Sequence, residues 1–171
     1  MTGRRRLAAS LLVVSIAALG HGSGVRAQSA IAYKVIDLGT FPDGTYSIAT
    51  SINNRGEVVG RADHYDPVTF NHATRGFYWK DRNNNGVSDP GDMIDLGPID
   101  GQSMGPSIND AGEIVATLYV VGPNGPENHV ARWKDANGDG AFDSSEMTDL
   151  GRGVAVGIGN GGDIAAFREP S

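Results

Sequence analysis

The sequence predicts an all-β protein made of antiparallel, blade-like repeats, as in an incomplete β-propeller, with little helix outside an N-terminal signal peptide. The tripeptide Asp-Leu-Gly recurs at residues 37, 95 and 149, at spacings of 58 and 54 residues. Short runs with β-branched and aromatic residues, at Tyr33–Ile36, Glu57–Gly60 and Gly76–Trp79, are predicted strands and alternate with Asn- and Gly-containing turns. Beyond the signal peptide, no long window places its apolar residues at helical spacing. Together these features favour small antiparallel sheets.

Residues 1–27 are expected to be a secretory signal peptide. Arg4–Arg6 form the charged start, Leu7–Leu19 is largely apolar, and Val25–Ala27 supplies small residues for cleavage. The apolar stretch is shorter than the roughly 20 residues that span a bilayer. The sequence therefore predicts a secreted protein, extracellular or periplasmic, with no stable membrane insertion after cleavage. An uncleaved anchor is the alternative interpretation.

Residues 28–171 are expected to form one β-repeat domain. Segment 51–59, Ser-Ile-Asn-Asn-Arg-Gly-Glu-Val-Val, is similar to segment 107–115, Ser-Ile-Asn-Asp-Ala-Gly-Glu-Ile-Val. The tripeptide Trp-Lys-Asp begins at both residue 79 and residue 133. Such internal similarity is typical of repeat architectures. The expected bounds are about 33–92 for repeat one, 93–146 for repeat two and 147–167 for a truncated repeat three.

Fewer than three full repeats are too few to close a propeller, which typically has about 4–8 blades. One interpretation is self-association, in which a strand near Tyr33–Asp37 of another chain completes the third repeat. The other is that the chain corresponds to a shortened form of a longer propeller.

The repeat unit resembles the HAF repeats, probable extracellular repeats of bacteria named for a His-Ala-Phe motif. Elements of that pattern occur in order in repeat one: Asp37–Gly39, Ser47–Ala49, Ile52–Asn53 and Gly56–Gly60. The chain departs from the pattern at the motif itself, because Arg75–Trp79 lacks the His and His129–Trp133 lacks the Phe. The resemblance implies a propeller-like fold and export, and it implies no particular activity.

Two acidic segments, loop one (residues 81–92) and loop two (residues 135–146), match an EF-hand-like calcium template. That template needs oxygen donors at positions 1, 3, 5, 7, 9 and 12 and a glycine at position 6. Val87 and Ala141 would donate their backbone carbonyls. The predicted ligands are Asp81, Asn83, Asn85, Val87, Asp89 and Asp92 in loop one, and Asp135, Asn137, Asp139, Ala141, Asp143 and Glu146 in loop two.

Two Ca²⁺ sites are therefore predicted, the second stronger than the first. Loop two offers four carboxylates against three in loop one, and Glu146 is long enough to bind through both oxygens. The flanking segments look like strands, in contrast to the helices of an EF-hand. The alternative interpretation is that both loops are ordinary acidic turns.

The composition favours a structural or binding role over catalysis. The chain has no cysteine, and His64, His72 and His129 lie in no recognisable catalytic motif. A net charge of −6 argues against a nucleic-acid partner. The predicted function is a secreted calcium-binding module with an extracellular protein or glycan as a possible partner. The alternative is a polysaccharide-acting hydrolase or a lectin-like propeller fragment, in which Trp79 and Trp133 stack on sugars.

Overall fold

The computed structural model describes residues 33–66, 71–122 and 125–168, so the predicted signal peptide lies outside the described residues. The described residues from Val35 onward belong to one compact unit, to which the account of the sheets is confined. None of the described residues belongs to a helix that could cross a membrane. The strands are β1 (Ser47–Ile52), β2 (Val58–Asp66), β3 (Asn71–Trp79), β4 (Met93–Pro98), β5 (Ser107–Ile108), β6 (Ile114–Gly122), β7 (Gly125–Trp133), β8 (Met147–Arg152), β9 (Val154–Ile158) and β10 (Ile164–Phe167).

The strands form three antiparallel sheets in which each strand pairs with its neighbour in sequence. The first sheet has the order β1-β2-β3-β4, the second β5-β6-β7-β8, and the third contains β9 and β10. The strand register is equivalent in the two four-stranded sheets: Val58 pairs with Trp79 in the first, and Ile114 pairs with Trp133 in the second. The all-β prediction is confirmed, while within the described ranges the sheets close no barrel or propeller ring.

One predicted strand is absent. The sequence predicts a strand over Tyr33–Ile36, but this segment adopts no regular secondary structure. Val35 is 94% exposed, whereas Ile36 packs against the core of the first sheet. A strand requires a partner backbone for its hydrogen bonds, and no strand of the described sheets pairs with this segment. The prediction of a strand at this position is therefore wrong.

Apolar residues are buried on both faces of the sheets. Val59 and Tyr78 of the first sheet pack with Ile114 and Trp133 of the second in one core cluster. The adjacent residue Val58 lies in a different cluster, because successive strand residues point to opposite faces. Full burial of each such side chain contributes about 1.5–3 kcal/mol. The stacking of one sheet on the next therefore stabilises the unit.

Hydrogen bonds link the turns of successive sheets in a repeating ladder. The Asn53 amide, in the β1–β2 turn, donates to the Asn109 carbonyl at 3.0 Å. The Asn109 amide, in the β5–β6 turn, donates in the same way to the Gly159 carbonyl at 3.1 Å. A parallel set of bonds joins the backbone and side chain of Asn54 to the Asp110 carboxylate. Each sheet is thus attached to the next through equivalent contacts.

Candidate metal centres

Both acidic loops are strand-to-strand connections at the same place in their sheets. Loop one joins β3 to β4, and loop two joins β7 to β8. Each is closed at its base by one backbone hydrogen bond, from Lys80 to Asp92 at 3.0 Å and from Lys134 to Glu146 at 3.1 Å. The residues at position 12 are buried, since Asp92 is 3% and Glu146 9% exposed. The loops therefore have the strand flanks that the sequence predicts.

The aspartate at position 1 is bonded across each loop to the glycine at position 6. The Asp81 carboxylate accepts the Gly86 N–H at 2.7 Å, and the Asp135 carboxylate accepts the Gly140 N–H at 2.9 Å. Both glycines adopt a positive φ, of 71° and 74°. Glycine reaches this backbone region without steric cost, so it suits the sharp turn. The backbone of each loop is therefore folded around the carboxylate at position 1.

The side chains at positions 3 and 5 accept from the backbone two residues later. Asn83 Oδ1 accepts the Asn85 N–H at 3.1 Å, and Asn85 Oδ1 accepts the Val87 N–H at 2.8 Å. Equivalent bonds of 2.8 and 2.7 Å occur in loop two among Asn137, Asp139 and Ala141. Loops one and two differ in sequence but share the same turn hydrogen bonds at positions 3 and 5.

The two loops differ at position 9. Asp89 accepts the side-chain amides of Asn83 at 2.8 Å and Asn85 at 2.6 Å, which brings three predicted ligands of loop one into contact. These two amides lower the pKa of Asp89. Asp143 instead accepts from the Ser145 hydroxyl and backbone N–H, and both bonds lower its pKa. Within the described residues, the Asp143 carboxylate has no hydrogen bond to the other predicted ligand side chains of loop two.

The carboxylates at position 12 point back into their loops. Asp92 accepts the N–H groups of Asp89 at 2.9 Å and Arg82 at 3.3 Å. Glu146 accepts the Ala136 N–H at 2.9 Å and, more weakly, two further N–H groups of loop two. A buried carboxylate held by several N–H groups fixes both ends of the loop relative to each other.

The donor chemistry of the loops is suited to a hard cation. All the predicted ligands are oxygens from carboxylates, amides and carbonyls, which is the set that calcium takes. Among the described residues, no group of three or more His, Cys, Asp or Glu side chains is arranged to hold a metal ion. These carboxylates also accept N–H groups of their own loop, but a carboxylate has about four acceptor positions, so oxygen lone pairs remain for an ion.

Arg82 connects the two loops, and no sequence pattern predicts this role. Its guanidinium donates to the Gly91 carbonyl of loop one at 3.2 Å and to the Gly140 carbonyl of loop two at 2.8 Å. Arg82 and Gly140 are distant in sequence, and only the stacking of the sheets brings them together. The contact therefore has no local sequence pattern.

A buried glutamate follows each of the first two ladder turns. Glu57 pairs with Arg55 at 2.6 Å and Lys80 at 3.1 Å. Burial alone would raise its pKa, but the Asn53 amide and the two cations outweigh burial and lower it. Glu113 occupies the equivalent position, and its pKa is lowered in the same way. The recurrence of glutamate in segments 51–59 and 107–115 is the sequence signal that marks this pair.

Comparison with known proteins finds no matching family model, no similar curated protein and no similar solved structure. The resemblance to HAF repeats therefore stays a prediction. Function is inferred from the geometry of this chain.

Proposed function

We propose that the chain is a secreted calcium-binding β-repeat module with a structural and binding role. The observation that carries this proposal is the shared hydrogen-bond pattern of loops one and two. In both loops, the carboxylate at position 1 accepts the N–H of the glycine at position 6. The side chains at positions 3 and 5 each accept the backbone N–H of the residue two positions later. Export is proposed from the charged and apolar pattern of residues 1–27.

In loop two, the ion would be held by Asp135, Asn137, Asp139, Asp143 and Glu146 together with the Ala141 carbonyl. Several carboxylates within twelve residues repel one another, and a bound divalent cation offsets that repulsion. Because such a site is completed only in the folded chain, binding would add to the free energy of unfolding. Loop one has one carboxylate fewer and is proposed to bind more weakly.

The buried acids Glu57, Asp63 and Glu113 lack the raised pKa of a general acid. A general acid at neutral pH needs a raised pKa. The pKa of Glu57, Asp63 and Glu113 is lowered instead, because hydrogen bonds and neighbouring cations outweigh the effect of burial. These carboxylates are ionised and already paired, as expected of structural groups.

We also propose that the sheets are blades of an incomplete propeller and that copies of the chain associate. Two four-stranded meanders of equal strand order, joined by the ladder from Asn53 to Gly159, support the blade arrangement. The outer edge of β10 has no partner strand among the described residues. Unpaired edges favour association. Sedimentation velocity tests this, and a folded protein that stays monomeric at all concentrations contradicts it.

Thermal unfolding in millimolar calcium and in chelator tests the calcium proposal. At a calcium concentration ten times the Kd, binding adds about 1.4 kcal/mol, which raises the Tm by a few degrees. The variant Glu146→Gln keeps the side-chain size and removes the charge, so its Tm should respond less. Asp100→Asn, an acid outside both loops, is the matched control and should respond like the parent protein.

Calorimetric titration with calcium separates the two loops. The parent protein should show two binding steps, and Glu146→Gln should lose the tighter one. Identical melting curves in calcium and chelator, with no heat of binding, contradict the proposal and leave both loops as acidic turns.

A further inference from the structure

A cleft of about 460 Å³ lies beside loop two, between the outer strand of the first sheet and the second sheet. Its volume is in the range of about 300–1,000 Å³ that is usual for small-molecule sites. The residues that line it and carry the inference are Arg75, Asp95, Leu118, Tyr119, Trp133 and Met147. The proposed calcium ligands of loop two touch it only at Asp143.

A charged pair forms one wall of the cleft. Arg75 on β3 donates through Nε to Asp95 Oδ2 on β4 at 2.6 Å. Both side chains are partly exposed, at 25% and 38%. The terminal guanidinium nitrogens of Arg75 have no hydrogen-bond acceptor among the described residues. The wall thus offers N–H donors and a carboxylate acceptor side by side.

Trp133 also lines the cleft and carries an indole N–H that can donate a hydrogen bond. The equivalent Trp79 donates its indole N–H to the Ser88 hydroxyl at 3.0 Å. In loop two the position of Ser88 is taken by Phe142, which packs edge-on against Tyr78 with ring centres 5.0 Å apart. Phe142 offers no acceptor, and in the described part of the chain Trp133 Nε1 has none.

Apolar and aromatic surface completes the cleft. Tyr119 is 58% exposed and Met147 is half-buried beside the core. The charged groups at the cleft are Arg75, Asp95 and Asp143, so their sum is slightly negative and disfavours an anion. A sugar ring has C–H faces that pack on apolar surface and hydroxyls that both donate and accept. We propose that this cleft binds a neutral sugar residue of a glycan.

A second cleft shows why we assign one such site and not two. It has about 540 Å³, lies beside loop one, and is lined by Asp37, Leu38 and Ser88 among others. No Arg or Lys lines it, and the Trp79 indole N–H is already bonded to Ser88. Of these two clefts, the one beside loop two has an arginine to donate to a sugar hydroxyl, and the one beside loop one does not.

The test uses the two tryptophans of the chain. Trp79→Phe leaves Trp133 as the only tryptophan, so its fluorescence reports on the cleft. The probes are cellohexaose, maltohexaose, laminarihexaose and chitohexaose, with an oligogalacturonate as the anionic comparator. At least one neutral probe should cause a saturable change at millimolar concentration. In the same background, Arg75→Gln should weaken binding about tenfold or more, because a bond to a charged donor is lost.

Asp37→Asn is the matched control, since it changes the equivalent aspartate of the second cleft and should leave binding unchanged. Urea unfolding of each variant excludes loss of fold as the cause of weaker binding. The proposal is overturned if no neutral probe changes Trp133 fluorescence. It is also overturned if the oligogalacturonate binds as well as the neutral probes, or if Asp37→Asn weakens binding as much as Arg75→Gln.

Discussion

Asn109 occupies the middle of the ladder that joins the three sheets, and Asn109→Ala should be strongly destabilising. Asn109 is only 2% exposed, and its side chain makes four hydrogen bonds. Oδ1 accepts the N–H groups of Ala111 at 3.0 Å and Glu113 at 2.9 Å. Nδ2 donates to the Glu113 carboxylate at 3.2 Å and to the Gly159 carbonyl at 3.1 Å.

The magnitude follows from these contacts. A buried hydrogen bond contributes about 0.5–1.5 kcal/mol net, and a buried polar group left without a partner costs about 1–3 kcal/mol. Alanine removes all four bonds and leaves the N–H of Glu113 without its partner, while the carbonyl of Gly159 keeps, among the described residues, only the Gly162 N–H at 3.0 Å. We expect a loss of about 3–4 kcal/mol, which is a large part of the roughly 5–15 kcal/mol by which domains are stable.

Urea unfolding measures the loss. The matched control is Asn160→Ala, which removes two exposed hydrogen bonds to Asp110 in the third turn of the same ladder. Its cost should be below about 1 kcal/mol, because water replaces the lost partners. Hydrogen exchange adds a local readout, since the amides of Ala111 and Glu113 should exchange faster in Asn109→Ala. Equal losses for Asn109→Ala and Asn160→Ala would refute the reasoning that the buried position determines the cost.

Two further predictions concern close packing and acid stability. Gly60→Ala should cost about 1–3 kcal/mol in urea unfolding, because an added Cβ would lie 2.2 Å from the Ile48 carbonyl oxygen and 2.6 Å from the Phe77 ring. Burial alone would raise the pKa of Asp63, but hydrogen bonds from the Tyr46 N–H, the Thr45 hydroxyl and N–H, and His72 hold it at about 2, below the ordinary 3.8. The folded state therefore favours the ionised form, and the stability this contributes is present above about pH 4 and is lost as the pH falls toward 2. Unfolding measured across this range should show less pH dependence in Asp63→Asn.

Each of these predictions has its own control. Gly157→Ala places a Cβ no closer than 3.6 Å to the Ser107 hydroxyl and should be nearly neutral, so a cost equal to that of Gly60→Ala would contradict the packing argument. For acid stability the control is Asp100→Asn, which removes one carboxylate elsewhere in the fold and shows whether the loss of slope is specific to Asp63→Asn. An unchanged slope in Asp63→Asn would show that Asp63 does not have the lowered pKa.

The strands and turns were predictable because their signals are local. The run Gly76–Trp79 has β-branched or aromatic character and ends at an acidic turn, and it forms the end of β3. The turn at Asn53 and its repeat at Asn109 carry the residues that close tight turns through their own side chains. The backbone at position 6 of each acidic loop has a positive φ, which glycine adopts without steric cost. The spacing of this glycine from the acidic residues was therefore enough to predict both turns.

The strand predicted over Tyr33–Ile36 shows the limit of such signals. Its residue pattern suits a strand, but a strand forms only where a second backbone is available for hydrogen bonding. That condition depends on the arrangement of the sheets and is not encoded in the segment. The contact of Arg82 with loop two was unpredictable for the same reason, because it joins residues that are distant in sequence.

The sequence by itself determined the strand class, the sites of the turns and the two loops with calcium-ligand spacing, because each depends on residues that are neighbours in the chain. Tertiary structure alone decided that Asn109 bridges two turns, that Arg75 and Asp95 face each other, and that Trp133 lacks the hydroxyl acceptor of Trp79. These properties arise where sheets stack and adjacent strands pair, and they bring together side chains whose separation in sequence carries no information about their distance in space.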